Sequence, residues 1–435
     1  MASEWAAAAR LVRRTGFGAT GDDVDAAVKE GAAKYVARVL AADPDDDAGA
    51  KKTAPPSFPA VAQLGKDASR DAKKQRQHAV RGQDQTLTAW WLDRMLAVEE
   101  PFGEKLTFVW HSHFATSLQK VKTPSWMLAQ NQRQRRLGRG SFDTLAKAML
   151  TDAATVRWLD GEKNTVKGPN ENLAREFMEI FTLGHADGYT ENDVRAGSKA
   201  LTGLHIDPQD GSVSVRARLH DNSTKTLFGR TGDLGVADYG DLVLARPGSP
   251  AYIVGRLWGM FVSNTPPDAA TQGRLLAAYG PKRDLHALLT AMFTDRSFAA
   301  AEGSFIIGPV EWLIGAMRVL HVDVSSAAEH KQLASSLDSL GQLPFYPPSV
   351  GGWPTGLVWM STASADLRFK AATLLAQRAQ LPTLPGSTTA KLEALAHLLG
   401  VDTWSGRTLA VLKGAVSDPR QLVPIALNTP EYLVH

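Results

Sequence analysis

Along most of the chain apolar residues recur at three- and four-residue spacing, the pattern of helices that bury one face. Within residues 1–42, Ala7, Leu11 and Val12 form one stripe, and Val24, Ala27, Val28, Tyr35, Val36 and Val39 form another, which predicts two N-terminal helices. Residues 43–59, DPDDDAGAKKTAPPSFP, run acidic, then basic, then proline-rich, and charged residues dominate as far as Gln85. So little apolar surface predicts a linker and charged segment over 43–85. From Thr86 the segment TLTAWWLDRM puts Leu87, Trp90, Trp91 and Met95 on one helical face, so the main helical domain is placed at 86–435. A break at Thr123-Pro124 precedes a further helix, and Ser141 or Asp143 is a plausible cap for the next.

Two stretches depart from helical spacing. Between Leu204 and Leu244, VSVRARL alternates like a strand and LHDNSTKTLFGRTGDLG is rich in turn residues, which predicts a small β-hairpin excursion. Residues 343–361 crowd prolines and glycines around Trp353, so this aromatic segment is expected to be a packed loop rather than a regular element. No period of 20–50 residues repeats, so a solenoid is not expected. The fold class that follows is mainly α, an irregular multi-helix globular fold with a small β-hairpin.

Composition narrows the classes of function. Hydrophobic residues make up 44% and charged residues 21%, as in ordinary soluble proteins, and no apolar run approaches the roughly 20 residues that span a bilayer. A transmembrane segment is therefore not expected. At the start, MASEWAAAARLVRRTGFGAT sets its basic residues after the alanine-rich stretch, the reverse of a secretory signal, so an export signal is not expected either. The absence of cysteine excludes disulfides, thiolate nucleophiles and iron–sulfur clusters and leaves His, Asp, Glu and Asn to hold any metal. It leaves the compartment open. A net charge of +3 without a recognisable motif gives no expectation of a nucleic-acid partner. Lys120, Lys122, Arg133, Arg135, Arg136 and Arg139 nevertheless follow one another without an intervening acid, either as a solvated face or as an attractor for an anionic substrate.

The sharpest candidate chemistry lies in GPNENLAREFMEIFTLG, residues 168–184, with a helix start at Gly168-Pro169-Asn170 and a stop at Gly184. At i, i+3 spacing Glu176 and Glu179 share a face with Asn172, and apolar neighbours surround Glu179. A carboxylate among such neighbours is paired, protonated or metal-bound. Arg175 or Arg195 can supply the partner of a plain salt bridge. The alternatives are metal ligation or general acid–base work.

FVWHSHFATS carries His111 and His113 beside Trp110. In a helix the two rings lie about 200° apart and cannot chelate one ion, whereas in a strand they can. A helix is predicted from Glu104, with one histidine facing the core and the other a cleft. For each, the plain alternative is an aromatic-packed imidazole satisfied by a backbone carbonyl. His220 and Asp221 sit in an irregular segment, where His220 can ligate a metal or act as a base, or both can belong to a surface turn; His185 and Asp187 share that ambiguity.

Five blocks, LVRRTGFGAT, FVWHSHFATS, PNENLAREFMEIFTLGHADGYTENDVRAGSKALTG, HDNSTKTLFG and LGQLPFYPPSVGGWPTGLVW, stand in this order along the chain. In these blocks the sequence resembles the bacterial domain-of-unknown-function family 1800. The resemblance implies a bacterial protein from a group whose members are often exported and have no settled activity. It also gathers His111, His113, Asn170, Asn172, Arg175, Glu176, Glu179, His220 and Asp221 into signature blocks. Asn222-Ser223 departs from the glycine-containing turn expected after His220-Asp221.

The leading expectation is a metal-dependent enzyme, a hydrolase ahead of an oxidoreductase. Zinc, iron, copper or manganese would be held by some of His111, His113, Glu176, Glu179 and His220. Arg175 or the basic 120–139 segment would hold an anionic group, and Asp221 is a further candidate for the chemistry. Trp110, Asn170, Asn172 and Trp353 would line the substrate pocket. A metal-free, glycosidase-like carboxylate enzyme is the first alternative, with the 11 tryptophans as sugar-stacking surfaces for a glycan, although carboxylates on adjacent turns are close for that reaction. An assembly or surface protein with a structural polar cluster is the second. Oligomeric state is not legible.

Overall fold

A computed structural model describes residues 3–59, 64, 65, 67–185, 188–301, 303, 305–381, 384 and 386–434. It is mainly helical, with two small antiparallel hairpins, Leu204–Ile206 paired with Val213–Val215 and Lys225–Leu227 paired with Arg230–Gly232. Both lie inside the stretch where the helical pattern lapses.

At the centre runs the helix Phe102–His113, buried on every side except at half-buried Ser112. A helix without a polar stripe can only be internal. Its two charges are therefore paired. Glu104 accepts from Arg94 Nε (2.6 Å), Arg135 Nε (2.7 Å), Arg135 Nη2 (2.6 Å) and Trp91 Nε1 (2.9 Å). Burial pushes the Glu104 carboxyl up, but the guanidiniums of Arg135 and Arg94 outweigh it and leave the group below its ordinary value. Lys105 pairs with Glu311 across the interior.

The N-terminal segment forms three helices, Glu4–Thr15, Gly21–Glu30 and Ala32–Ala41, rather than the two expected. Gly31, at φ +84, turns the chain between Val28 and Tyr35 and splits the second apolar stripe into separate helices. The segment expected to be a linker is also structured in large part. Asp47 caps Ala48–Lys52 through the Gly49 and Ala50 amides (2.8 and 3.0 Å) and accepts from Glu99 and Glu100 N–H (2.9 Å each). Gly49 lies so close to the Ala97 carbonyl that no side chain fits there. Hydrogen bonds rather than apolar area fix this stretch, so a composition rule misreads it. The following helix runs Arg70–Ala97, starting at Arg70 instead of Thr86, because its exposed first turns need no apolar face.

The two ends of the chain meet. Arg13 donates to the carbonyls of Leu399 (2.9 Å) and Gly400 (2.8 Å), and Trp312 Nε1 donates to Leu427 O (2.8 Å). No helix among the described residues is long and apolar enough to cross a membrane.

Candidate functional site

The signature helix is anchored before it starts. Asn164 accepts the Asn170 N–H on Oδ1 (2.9 Å) and donates from Nδ2 to Ser198 O (2.7 Å), while Ser198 Oγ donates to Asn170 O (3.0 Å). Asn170 Oδ1 accepts the Asn172 N–H (3.0 Å), opening the helix Asn172–Glu176. Asn170 thus spends its side-chain oxygen on the fold. From Phe177 to Thr182 the helix widens into a π-turn, with Leu183 N bonded to Met178 O (2.8 Å) and Thr182 Oγ1 to Phe177 O (2.6 Å). π-turns interrupt α-helices mostly at functional positions. Two side chains take up carbonyls at its end: Tyr252 donates its hydroxyl to Ile180 O (2.6 Å), and His113 donates Nε2–H to Phe181 O (2.9 Å). Gly184, at φ +73, ends the segment against the Tyr252 ring.

Glu176 and Glu179 are half-buried on this element. The Glu179 carboxylate lies 2.7 Å from His185 Nδ1 and accepts a hydrogen bond from the Tyr189 hydroxyl. Burial, followed by that carboxylate, pushes the Tyr189 phenol up to about 12. Burial, then the neighbouring Glu179 charge, raises the Glu176 carboxyl above its usual range. The His185 side chain is 74% exposed, so the Glu179–His185 pair opens to solvent. Arg256, on the helix Gly248–Phe261, carries a buried Nε without a hydrogen-bond partner and adds positive potential at His113 and Tyr252. Two carboxyls in unlike environments, one of them bonded to an imidazole, form an acid–base cluster.

The salt bridge anticipated for Glu179 does not form with arginine. Arg175 is engaged by Glu171 (3.0 Å) and Glu191 (2.8 Å), and Arg195 approaches Glu171. Arg175 therefore holds the signature helix to its successor instead of an anionic ligand.

His111 and His113 are both fully buried, so neither faces a cleft. His111 packs against Trp91, Phe345 and Trp353, and its Nε2 accepts the Phe345 N–H (3.0 Å). His113 packs against Trp110, Phe114, Phe142 and Phe181. Burial lowers each imidazole to about 3. Being helical, the two point apart, and each already uses Nε2 on the backbone. Trp110 donates to Gly138 O (2.9 Å) from within the core, and Trp353 stacks on Phe108 with ring centroids 5.3 Å apart. Trp110 is a core residue, while Trp353, although buried, still forms part of the wall of a small cleft with Ser112, Thr355 and Trp359. Nine of the 11 tryptophans are buried and Trp5 and Trp158 are partly so, and none of them lies on the Glu176–Glu179 helix.

His220 shares Nδ1 between Thr202 O (2.9 Å) and Thr202 Oγ1 (3.3 Å), while Thr202 Oγ1 accepts the Asp221 N–H (2.8 Å). Asp221 accepts the Ser223 N–H (2.8 Å), and the Ser223 side chain, helped by that N–H, holds its carboxyl below the ordinary value. The pair therefore builds a turn closed by side chains, which explains how Asn222-Ser223 replaces a glycine turn. Among the described residues, the one group of three His, Asp or Glu whose ligand atoms lie within 4.8 Å of one another is Asp22, Asp25 and His397, all on the surface. The five proposed ligands His111, His113, Glu176, Glu179 and His220 are not gathered about one ion.

Tyr189, Tyr252 and Arg256 were not distinguished by sequence pattern, and His185 was seen only as ambiguous. Asp187 lies outside the described residues. The signal for His185 and Tyr189 was their place just beyond the glycine stop, where a returning loop meets the helix face; Tyr252 and Arg256 come from a distant helix and left none. No curated protein and no solved structure gives a match. The family model described as "Protein of unknown function (DUF1800)" matches residues 10–434, and the chain belongs to that family.

Proposed function

We propose that the chain is a hydrolytic enzyme whose proton transfers are carried by Glu176, Glu179 and His185. One observation carries the reading: the Glu179 carboxylate is bonded to an imidazole that opens to solvent, beside a second carboxyl that burial and repulsion raise. Glu179–His185 serves as the base that draws a proton from water, and Glu176, protonated more readily, serves as the acid for the leaving group. Tyr189 orients Glu179, and Arg256 supplies positive potential for charge that develops on the substrate.

The test is a panel of chromogenic esters, amides and glycosides assayed with the full chain. Glu176→Gln and Glu179→Gln, each near-isosteric, should lower turnover by about 100- to 10,000-fold with circular dichroism unchanged. Undiminished turnover in both variants would reject the assignment. A panel with no turnover at all, together with unchanged folding of both variants, would favour an assembly protein whose polar cluster fixes the fold.

A second reading keeps the metal on Glu179 and His185, whose donor atoms lie 2.7 Å apart, and has a bound zinc, iron, copper or manganese ion draw in Glu176, which does not form a ready-made three-ligand group with them. The repulsion that raises Glu176 is what a divalent cation would relieve. Elemental analysis separates the two: stoichiometric metal lost in Glu176→Ala supports the second, and full activity of metal-free protein through a chelator titration supports the first.

A further inference from the structure

The structure divides the basic run at 120–139 into two parts. Most of it is spent internally: Arg135 on Glu104, Arg133 on Asp152, Lys120 on Asp160, and Arg139 on the carbonyls of Leu40 and Ala42. Lys122 is not. It stands at φ +53 just before the helix Pro124–Leu137 and lines a cleft of about 600 Å³ with Lys73, Arg76 and Arg157. Apolar and neutral residues complete the lining, among them Phe58, Leu64, Thr123 and Gln209, and among the described residues none that lines it is acidic. Among the described residues Lys73, Arg76 and Lys122 make no ion pair. Arg157 is fixed by Glu162 (2.5 Å) and lies 4.9 Å over the Trp126 ring, so its guanidinium is already held in place.

Helix geometry adds to this charge. Pro124 opens its helix without a side-chain cap on the first turn, and Thr123, Pro124 and Ser125 form part of the cleft. The positive end of the helix dipole therefore points into a cavity already lined by cations. Three cations without an ion pair, Lys73, Arg76 and Lys122, come from two separate parts of the chain to this cleft beside the Glu162-paired Arg157, and a bound anion would balance their charge. The volume is that of a small-molecule site.

We infer that this cleft binds a small ligand through a tetrahedral oxyanion group, a phosphate or sulfate ester. It is independent of the acid–base cluster, sharing none of its residues. Lys122 and Arg76 supply the mobile charges, and Arg157 the fixed one.

Isothermal titration of the full chain with inorganic pyrophosphate, and separately with sulfate, tests the inference and distinguishes the two sources. Saturable one-site binding is expected. The affinity should fall by about tenfold or more in each of Lys122→Ala and Arg76→Ala, since each removes a charged hydrogen bond. Arg136→Ala, which removes an exposed cation of the same run outside the cleft, should bind as the parent does. Absence of saturable binding to either anion overturns the inference, as does an equal loss in Arg136→Ala. Tight binding of a DNA duplex that pyrophosphate does not displace overturns it as well. Because the readout is binding and not turnover, its failure stands apart from failure of the hydrolase assignment.

Discussion

At the scale of single residues, both signature histidines are structural groups kept neutral by burial. The FVWHSHFATS pattern made them look like ligands, but an i, i+2 pair on an internal helix is divided between two aromatic clusters. Their electrostatic consequence lies in stability. With the folded imidazoles near 3 and the unfolded ones near the ordinary ~6.5, the unfolded chain binds protons that the fold excludes throughout that interval. Stability is therefore complete above about pH 6.5 and falls as pH drops below it, by up to about 1.4 kcal/mol per pH unit for each histidine. Urea unfolding at a series of pH values between 7 and 5 measures the slope. A chain carrying His111→Gln and His113→Gln should lose most of it; retention of the full slope would mean that other groups take up the protons.

At the scale of elements, helical spacing located the helices well wherever one face is buried and the other is wet. It failed where the environment removes that contrast. The helix read from Glu104 is found at Phe102–His113 although it has no wet face, whereas the first turns of Arg70–Ala97 have no buried face and carry no periodic signal. The π-turn at Phe177–Thr182 was equally invisible, because it depends on carbonyl partners, Tyr252 and His113, that arrive from distant parts of the chain. The shared face of Glu176 and Glu179 was legible from i, i+3 spacing alone, while the partners of Glu179 were not. That shared face makes a direct prediction. Glu179→Gln removes the like charge that helps to raise Glu176, so the Glu176 carboxyl should titrate at lower pH than in the parent. Carbon-13 NMR titration of the glutamate side chains reads this, and an unmoved Glu176 would show that burial alone sets its proton affinity.

At the scale of the whole molecule, charge content in 43–85 divided the sequence into segments that the structure joins by hydrogen bonds. Asp47 ties the supposed linker to the start of the Glu99-Glu100 turn, and Arg94 inside the core donates to Pro44 O (2.7 Å). Arg13 fastens the first helix to the carbonyls of Leu399 and Gly400, and Arg139 closes on the end of the third helix. These are buried or half-buried cations, each satisfied by carbonyls from the opposite side of a segment boundary. Removing one side leaves the other uncompensated, at a cost of several kcal/mol for each charge left buried, against a total stability of about 5–15 kcal/mol for a typical domain. A chain reduced to residues 86–435 should therefore fail to reach the native state. Near-UV circular dichroism and urea unfolding measure the outcome: the shortened chain is expected to lack the fixed aromatic signal and the cooperative transition of the full chain. If it instead unfolds as sharply as the parent, the N-terminal helices are an appendage and the contacts of Arg13 and Arg94 are dispensable.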